Sequence, residues 1–291
     1  MEQNYIIMTD SSTDLDQHLV DELGLVVLPL TVAMEGKEYK NYPDERDITA
    51  KFLYTRLRAG AIATTAAINV DTFIQEIGKY LAQGKDVLYL GFSSGLSATY
   101  SSSCIAAEEL REVYPDRKVI TVDTLAASTG EGLLCYLVSR RRSEGATIEE
   151  AAQYAEETKL HIAHWFTVDD LHFLKRGGRV SAATAILGSA LGIKPLLHTD
   201  NEGHLTAVDK VRGRKRVIAA MVERMAASAV EPEKQTIFIS HGDCVEDAQY
   251  LADLVRERLN PKEIILQIIG PVIGAHSGPG TLALFFQATE R

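Results

Sequence analysis

Leu88-Tyr89-Leu90-Gly91-Phe92-Ser93-Ser94-Gly95-Leu96-Ser97-Ala98-Thr99-Tyr100-Ser101-Ser102 is the stretch on which the fold turns. An apolar run from Val87 to Phe92 stops at small hydroxyl residues and a glycine, and a long apolar-periodic segment follows, which predicts strand, tight turn and helix. That geometry aims backbone N–H groups and serine hydroxyls at one point. A helix N-terminus adds partial positive charge and unpaired donors, so an anion or an incipient oxyanion is the guest that fits. Serines in such a turn also serve as plain turn and cap residues.

The pattern repeats on both sides. Upstream, Tyr5 to Thr9 is an apolar run ending in Asp10-Ser11-Ser12-Thr13-Asp14-Leu15, Leu25 to Leu30 reads as a second strand, and Thr31 to Tyr39 folds back at Glu35-Gly36 as a hairpin. A helix fits Thr49 to Arg58, and Ala63-Thr64-Thr65-Ala66-Ala67 leads into a helix over 70–81. Downstream, the helix reaches Glu112, Val119 to Val122 is a strand ending at Asp123-Thr124, and helices fit Glu131 to Arg141 and Ile148 to Glu157. Strands alternating with helices of this length imply a parallel sheet with right-handed crossovers. Ligands gather at the carboxyl ends of such strands, where Asp10-Ser11-Ser12, Ser93-Ser94 and Asp123-Thr124 all fall.

The rhythm changes near Leu160, which divides the chain into an N-terminal α/β domain, 1–160, and a C-terminal α/β domain with a mixed sheet, 161–291. A strand over Ile162 to Thr167 is followed by a helix that breaks at Gly177-Gly178, a helical pattern from Ala182 to Leu191, and two strands joined at Asn201-Glu202-Gly203. A further α/β unit ends in Gly270-Pro271-Val272-Ile273-Gly274-Ala275-His276-Ser277-Gly278-Pro279-Gly280 and an apolar run, Thr281 to Phe286.

The 291 residues are 46% hydrophobic and 24% charged, enough to bury a sizeable core. A formal charge of −10 disfavours a general nucleic-acid binder. Cys104, Cys135 and Cys244 form no C-x-x-C pair and read as buried thiols of a reducing compartment. No positively charged leader opens the chain and no apolar run is long enough to span a bilayer, which predicts a cytoplasmic protein without an integral membrane segment.

Gly91-Phe92-Ser93-Ser94-Gly95 matches the G-x-S-x-G elbow, and Ser93, Asp243 and His276 follow the chain order of an α/β-hydrolase triad. Against a serine esterase, no His-Gly-Gly loop lies upstream. Hydroxyls at Thr64, Thr65, Ser94 and Ser97 resemble a carboxylate cradle more than one activated nucleophile. His161 and His164 sit an odd number apart and face opposite sides of a strand, which disfavours a shared metal. Neither a G-x-G-x-x-G nor a G-x-x-x-x-G-K-[ST] loop offers a nucleotide site, so no cofactor is expected and any ATP would belong to another protein. Two basic clusters stand out: Arg140-Arg141-Arg142, a solvated helix end, and Lys210 to Arg216, whose Arg212 and Arg214 suit docking or phosphate. Arg176 and Arg179, flanking the paired glycines, can join that face.

Five segments together carry a resemblance: Asp10-Ser11-Ser12-x-Asp14-Leu15, Ser93-Ser94-Gly95-Leu96-Ser97-x-Thr99-Tyr100, Asp169-Asp170-Leu171 with Gly177-Gly178-Arg179, Lys194-Pro195, and Ile273-Gly274-x-His276-x-Gly278-Pro279-Gly280. In this order, over about residues 4–288, they resemble the DegV family of bacterial fatty-acid-binding proteins. The resemblance implies two α/β domains with one long-chain fatty acid such as palmitate, stearate or oleate between them. It also implies a FakB-like role, as the non-catalytic binding subunit that presents the acyl carboxylate to a fatty acid kinase for conversion to acyl-phosphate. Family carboxylate contacts correspond to Thr64 or Thr65, Ser93 or Ser94 with Ser97 nearby, and His276. Ala67 and Ala98 depart from the family's proline and glycine. Some fifteen buried methylene and methyl groups, at ~0.8 kcal/mol each, offer on the order of 12 kcal/mol before association costs, so the tail can supply affinity while hydroxyls orient the head.

Overall fold

The computed structural model describes residues 5–180 and 192–291, so the helix expected from Ala182 to Leu191 lies outside the described residues. β1 (Tyr5–Asp10), β2 (Leu25–Leu28), β6 (Asp86–Gly91) and β7 (Val119–Asp123) form a parallel sheet in the order β2-β1-β6-β7. The crossovers include α1 (Gln17–Leu23), α3 (Val70–Leu81) and α4 (Thr99–Val113). α5 (Thr129–Ser143) and α6 (Ile148–Thr158) follow the last strand. β6 is buried along Val87 to Leu90 because a central parallel strand is covered on both faces. α3 turns Phe73, Ile77 and Leu81 inward at helical spacing, and Asn69 caps it through Thr72 N–H.

The second layer is a mixed six-stranded sheet, order β10-β9-β8-β13-β11-β12. Its strands are β8 (Ile162–Thr167), β9 (Ile193–Thr199), β10 (Leu205–Arg212), β11 (Thr236–His241), β12 (Glu263–Ile268) and β13 (Leu282–Gln287). α8 (Arg214–Ser228) and α9 (Val245–Leu259) cover one face through a core that includes Val217, Met221 and Leu251. The other face looks towards the N-terminal layer. The molecule is therefore a two-domain α/β protein.

Two elements differ from the sequence reading. Thr64 and Thr65 belong to a strand, β5 (Ala63–Ala66), which pairs antiparallel with β3 (Thr31–Met34) in a small sheet completed by β4 (Lys37–Lys40). The segment after Gly270 is a short helix, α10 (Pro271–Ser277), with proline in its first turn. Its N-terminal donors are met from the other domain: Gly270 N–H donates to Asp14 Oδ1 at 2.9 Å and Val272 N–H to Asn41 Oδ1 at 3.1 Å. Propensity could not announce this helix because its caps lie more than 200 residues away in sequence.

A carboxylate cluster lies beneath β1. Ser12 Oγ is 2.5 Å from Asp10 Oδ1 and 2.7 Å from Glu131 Oε2. One hydroxyl carries one hydrogen, so the second contact needs a proton on a carboxyl. Asp10 Oδ2 already accepts from Tyr89 O–H and Phe92 N–H. Burial and the Asp10 charge push Glu131 well above the usual carboxylate range, so Glu131 holds that proton. Burial also pushes Asp14 up to about 7. Of the three free thiols, only Cys135 is fully buried; Cys104 and Cys244 are half-buried.

Candidate ligand site

A cavity of about 260 Å³ opens between the layers. Thr65 of β5 and His276 of α10 meet at one end, with Thr65 Oγ1 2.7 Å from His276 Nε2. Burial first, then the charges of Arg179 and Arg176, depress the imidazole to about 4, so it is neutral near pH 7. Ser97 joins them on the cavity wall and bonds Thr99, its Oγ lying 2.9 Å from Thr99 Oγ1 and accepting from Thr99 N–H at 3.2 Å. Arg179 lines the same end, its guanidinium held by the carbonyls of Leu96 and Gly177. A smaller outer pocket shares Thr65, His276 and Arg179 and adds Thr64 and Arg176. These groups thus form a partition between an apolar interior and a basic vestibule.

The remaining expected residues have other positions. The strand-to-helix turn is longer than expected: α4 begins at Thr99, six residues after Ser93, so Ser97 stands at the helix start and the Ser93-Ser94 pair does not. Ser93 Oγ is fully buried and donates to Gly203 O at 2.9 Å, tying the β6–α4 turn to the β9–β10 turn. Ser94 is exposed, its N–H held by Asp123 Oδ1 at 3.2 Å. Thr64 alternates away from Thr65 along β5 and is exposed. Arg214 is bound to Asp247 at 2.9 Å and lies 3.6 Å from Asp169, while Arg212 is exposed at the end of β10; neither lines the cavity.

The hydrolase arrangement is corrected by the same geometry. Ser93 faces Gly203, His276 faces Thr65, and Asp243 is paired with Lys51 and Arg58. No triad contact links them. Arg140 to Arg142 close the α1 end, Arg140 reaching Glu22 and Arg142 donating to Leu23 O.

Apolar side chains including Leu30, Phe92, Phe166, Leu174, Val272 and Phe285 line the cavity beyond this polar end. Two further lining hydroxyls are already engaged, Ser128 donating to Asp14 Oδ2 at 2.5 Å and Thr281 Oγ1 to backbone carbonyl oxygen, whereas Ser277 Oγ, next to His276, is buried without a partner among the described residues. Ala98 adopts φ −76°, which needs no glycine. Gly177 is a site residue the sequence reading passed over, although the paired glycines drew attention to the turn. A Cβ built there overlaps His276 Nδ1, so the glycine leaves room for the imidazole to lie against the backbone.

A two-domain α/β architecture enclosing a mostly apolar cavity with a few convergent polar groups defines a class of small-ligand-binding folds. Within that class, a family model described as "Uncharacterised protein, DegV family" matches residues 4–289, and the chain belongs to the DegV family. A DegV domain-containing protein of Clostridium perfringens is 43% identical over 284 residues, covering 98% of this chain and 97% of its relative. The fold superimposes on a DegV family protein from Thermus thermophilus, described as binding fatty acid, with TM-score 0.88 and 30% identity over 98% of this chain and all of that one. It also matches a DegV lipid-binding protein of Thermotoga maritima with TM-score 0.86 and 30% identity, over 99% of this chain and 100% of the other. No helix among the described residues is long and apolar enough to cross a membrane.

Proposed function

We propose that this protein binds one long-chain fatty acid, with its carboxylate at Thr65, Ser97 and His276 and its tail in the cavity, and presents it to a separate ATP-holding fatty acid kinase. The observation that carries this reading is the meeting of Thr65 and His276, with Ser97 beside them, at one end of a cavity whose wall is otherwise mostly apolar. Donor bookkeeping supports the head-group assignment. If His276 Nε2–H donates to Thr65 Oγ1, the threonine hydrogen is available to the ligand; if Thr99 O–H donates to Ser97 Oγ, the Ser97 hydrogen is available too. Two hydroxyl donors hold a carboxylate without a buried salt bridge, leaving one oxygen to attack phosphorus. Arg176 and Arg179, on the vestibule side, suit the phosphoryl group arriving from the partner. In that step the carboxylate oxygen bonds to the γ-phosphorus of ATP and ADP leaves. The acid itself is the only ligand this reading requires, with no cofactor of the protein's own.

Native mass spectrometry of the purified protein, followed by organic extraction and fatty-acid analysis, tests the reading. A stoichiometric adduct with the mass of palmitate, stearate or oleate is expected, weakened in Thr65→Val and His276→Ala. Protein that is ligand-free and takes up no added acid overturns it. For the partner step, kinase and ATP should yield an acyl-phosphate that hydroxylamine traps as the hydroxamate. Ester turnover without retained lipid would point to hydrolysis.

A further inference from the structure

We infer that the His164–Phe285 pair is the end stop that fixes how long an acyl chain the cavity accepts. The inference rests on the fatty-acid reading and adds to it the chain-length limit. His164 and Phe166 project from one face of β8, two residues apart and thus about 6.6 Å along the strand, and both line the cavity. Beyond the carboxyl end of β8 come α7 (His172–Arg176) and Arg179, at the polar mouth. The cavity therefore runs down β8 from Arg179 and His276, past Phe166, to His164. There it closes. The His164 ring meets Phe285 edge-to-face, with centroids 5.3 Å apart and planes at 89°. Behind them the first turn of α5 seals the wall: a Cβ on Gly130 would overlap the His164 ring and lie 2.7 Å from Phe285 Cδ1.

The stop is held in place. His164 is 2% exposed, and its Nδ1 lies 2.8 Å from Ile162 O. Burial keeps the ring well below its ordinary pKa and hence neutral, so Nδ1–H donates to that carbonyl and fixes the ring's orientation. Nε2 is sealed without a partner, which leaves the imidazole acting here by its shape.

The test is the affinity of the full chain for saturated acids from decanoic to eicosanoic, measured for the native protein and three variants. Affinity of the native protein should rise about fourfold per methylene and then fall abruptly at one length. His164→Ala should move that break to acids longer by about two carbons, as cavity-making substitutions open space. His164→Phe should leave it in place, and Gly130→Ala, by pushing the rings into the cavity, should shorten it. If acids bind but the break is unmoved in both His164→Ala and Gly130→Ala, the stop is wrong while the fatty-acid reading stands. If no acid binds the native protein, both fall. Should His164→Ala fail to fold, Gly130→Ala decides alone.

Discussion

Gly177→Ala tests the head-group geometry with a single methyl. Gly177 has φ −72° and ψ −12°, a conformation every residue adopts, so the substitution brings no backbone strain. The new Cβ would overlap His276 Nδ1 and stand 3.2 Å from both Cγ and Cε1. The imidazole must retreat, and the 2.7 Å contact with Thr65 opens. Overpacking of this kind costs about 1–3 kcal/mol. On the fatty-acid reading, a misdirected Thr65 hydroxyl lowers affinity for the acid by about tenfold, the equivalent of about 1.4 kcal/mol. Isothermal titration with a long-chain acid and with its methyl ester separates head from tail, because only the acid should lose affinity. A double-mutant cycle sharpens the result: in a His276→Ala background the clashing ring is gone, so Gly177→Ala should be nearly silent. An undiminished penalty in that background would refute the argument, since the methyl would then act somewhere other than on the imidazole.

Ser93→Ala should lower the melting temperature rather than act at the head group, because it leaves the Gly203 carbonyl unpaired at a cost of about 1–3 kcal/mol; calorimetry with acid titration checks both. Asp14 makes stability depend on pH with a definite sign. Its folded pKa of about 7 lies above the ordinary 3.8, so its contribution is full below pH 3.8 and is lost as pH rises towards 7, by up to about 1.4 kcal/mol per unit. Denaturant unfolding of Asp14→Asn across that interval should show a shallower decline than the native protein. In the ligand-free protein the His276 imidazole, depressed to about 4, should show no NMR titration between pH 6 and 8; a midpoint there would contradict its burial.

Periodicity carried most of the architecture. The apolar run into Ser93, the spacing of Phe73, Ile77 and Leu81, and the strand-helix alternation are local signals, and they led to a parallel sheet followed by a mixed one. β5 was harder to read because Ala63-Thr64-Thr65-Ala66 has little apolar alternation and gains its strand identity from pairing with β3. α10 depended on caps from Asp14 and Asn41, which no local window contains. At the site, Thr65, Ser97 and His276 could be nominated from residue type and motif. Their separation from Thr64, Ser93 and Ser94 came from strand alternation and from the Gly203 carbonyl, a partner 110 residues away. The cavity walls were illegible for a different reason: Leu30, Phe166 and Val272 look like any core residue until a space appears beside them.

The hydroxyl shared between Asp10 and Glu131 has a consequence in an electric field. The formal charge of −10 counts every carboxyl as ionised, yet Glu131 must keep a proton to satisfy Ser12. At this position the folded molecule therefore carries one negative charge fewer than the unfolded chain at neutral pH, and unfolding releases that proton to solvent. Native isoelectric focusing should bring Glu131→Gln to the same position as the unsubstituted protein, whereas in urea the variant should focus on the basic side of it, because its amide is neutral in both states and Glu131 ionises only on unfolding.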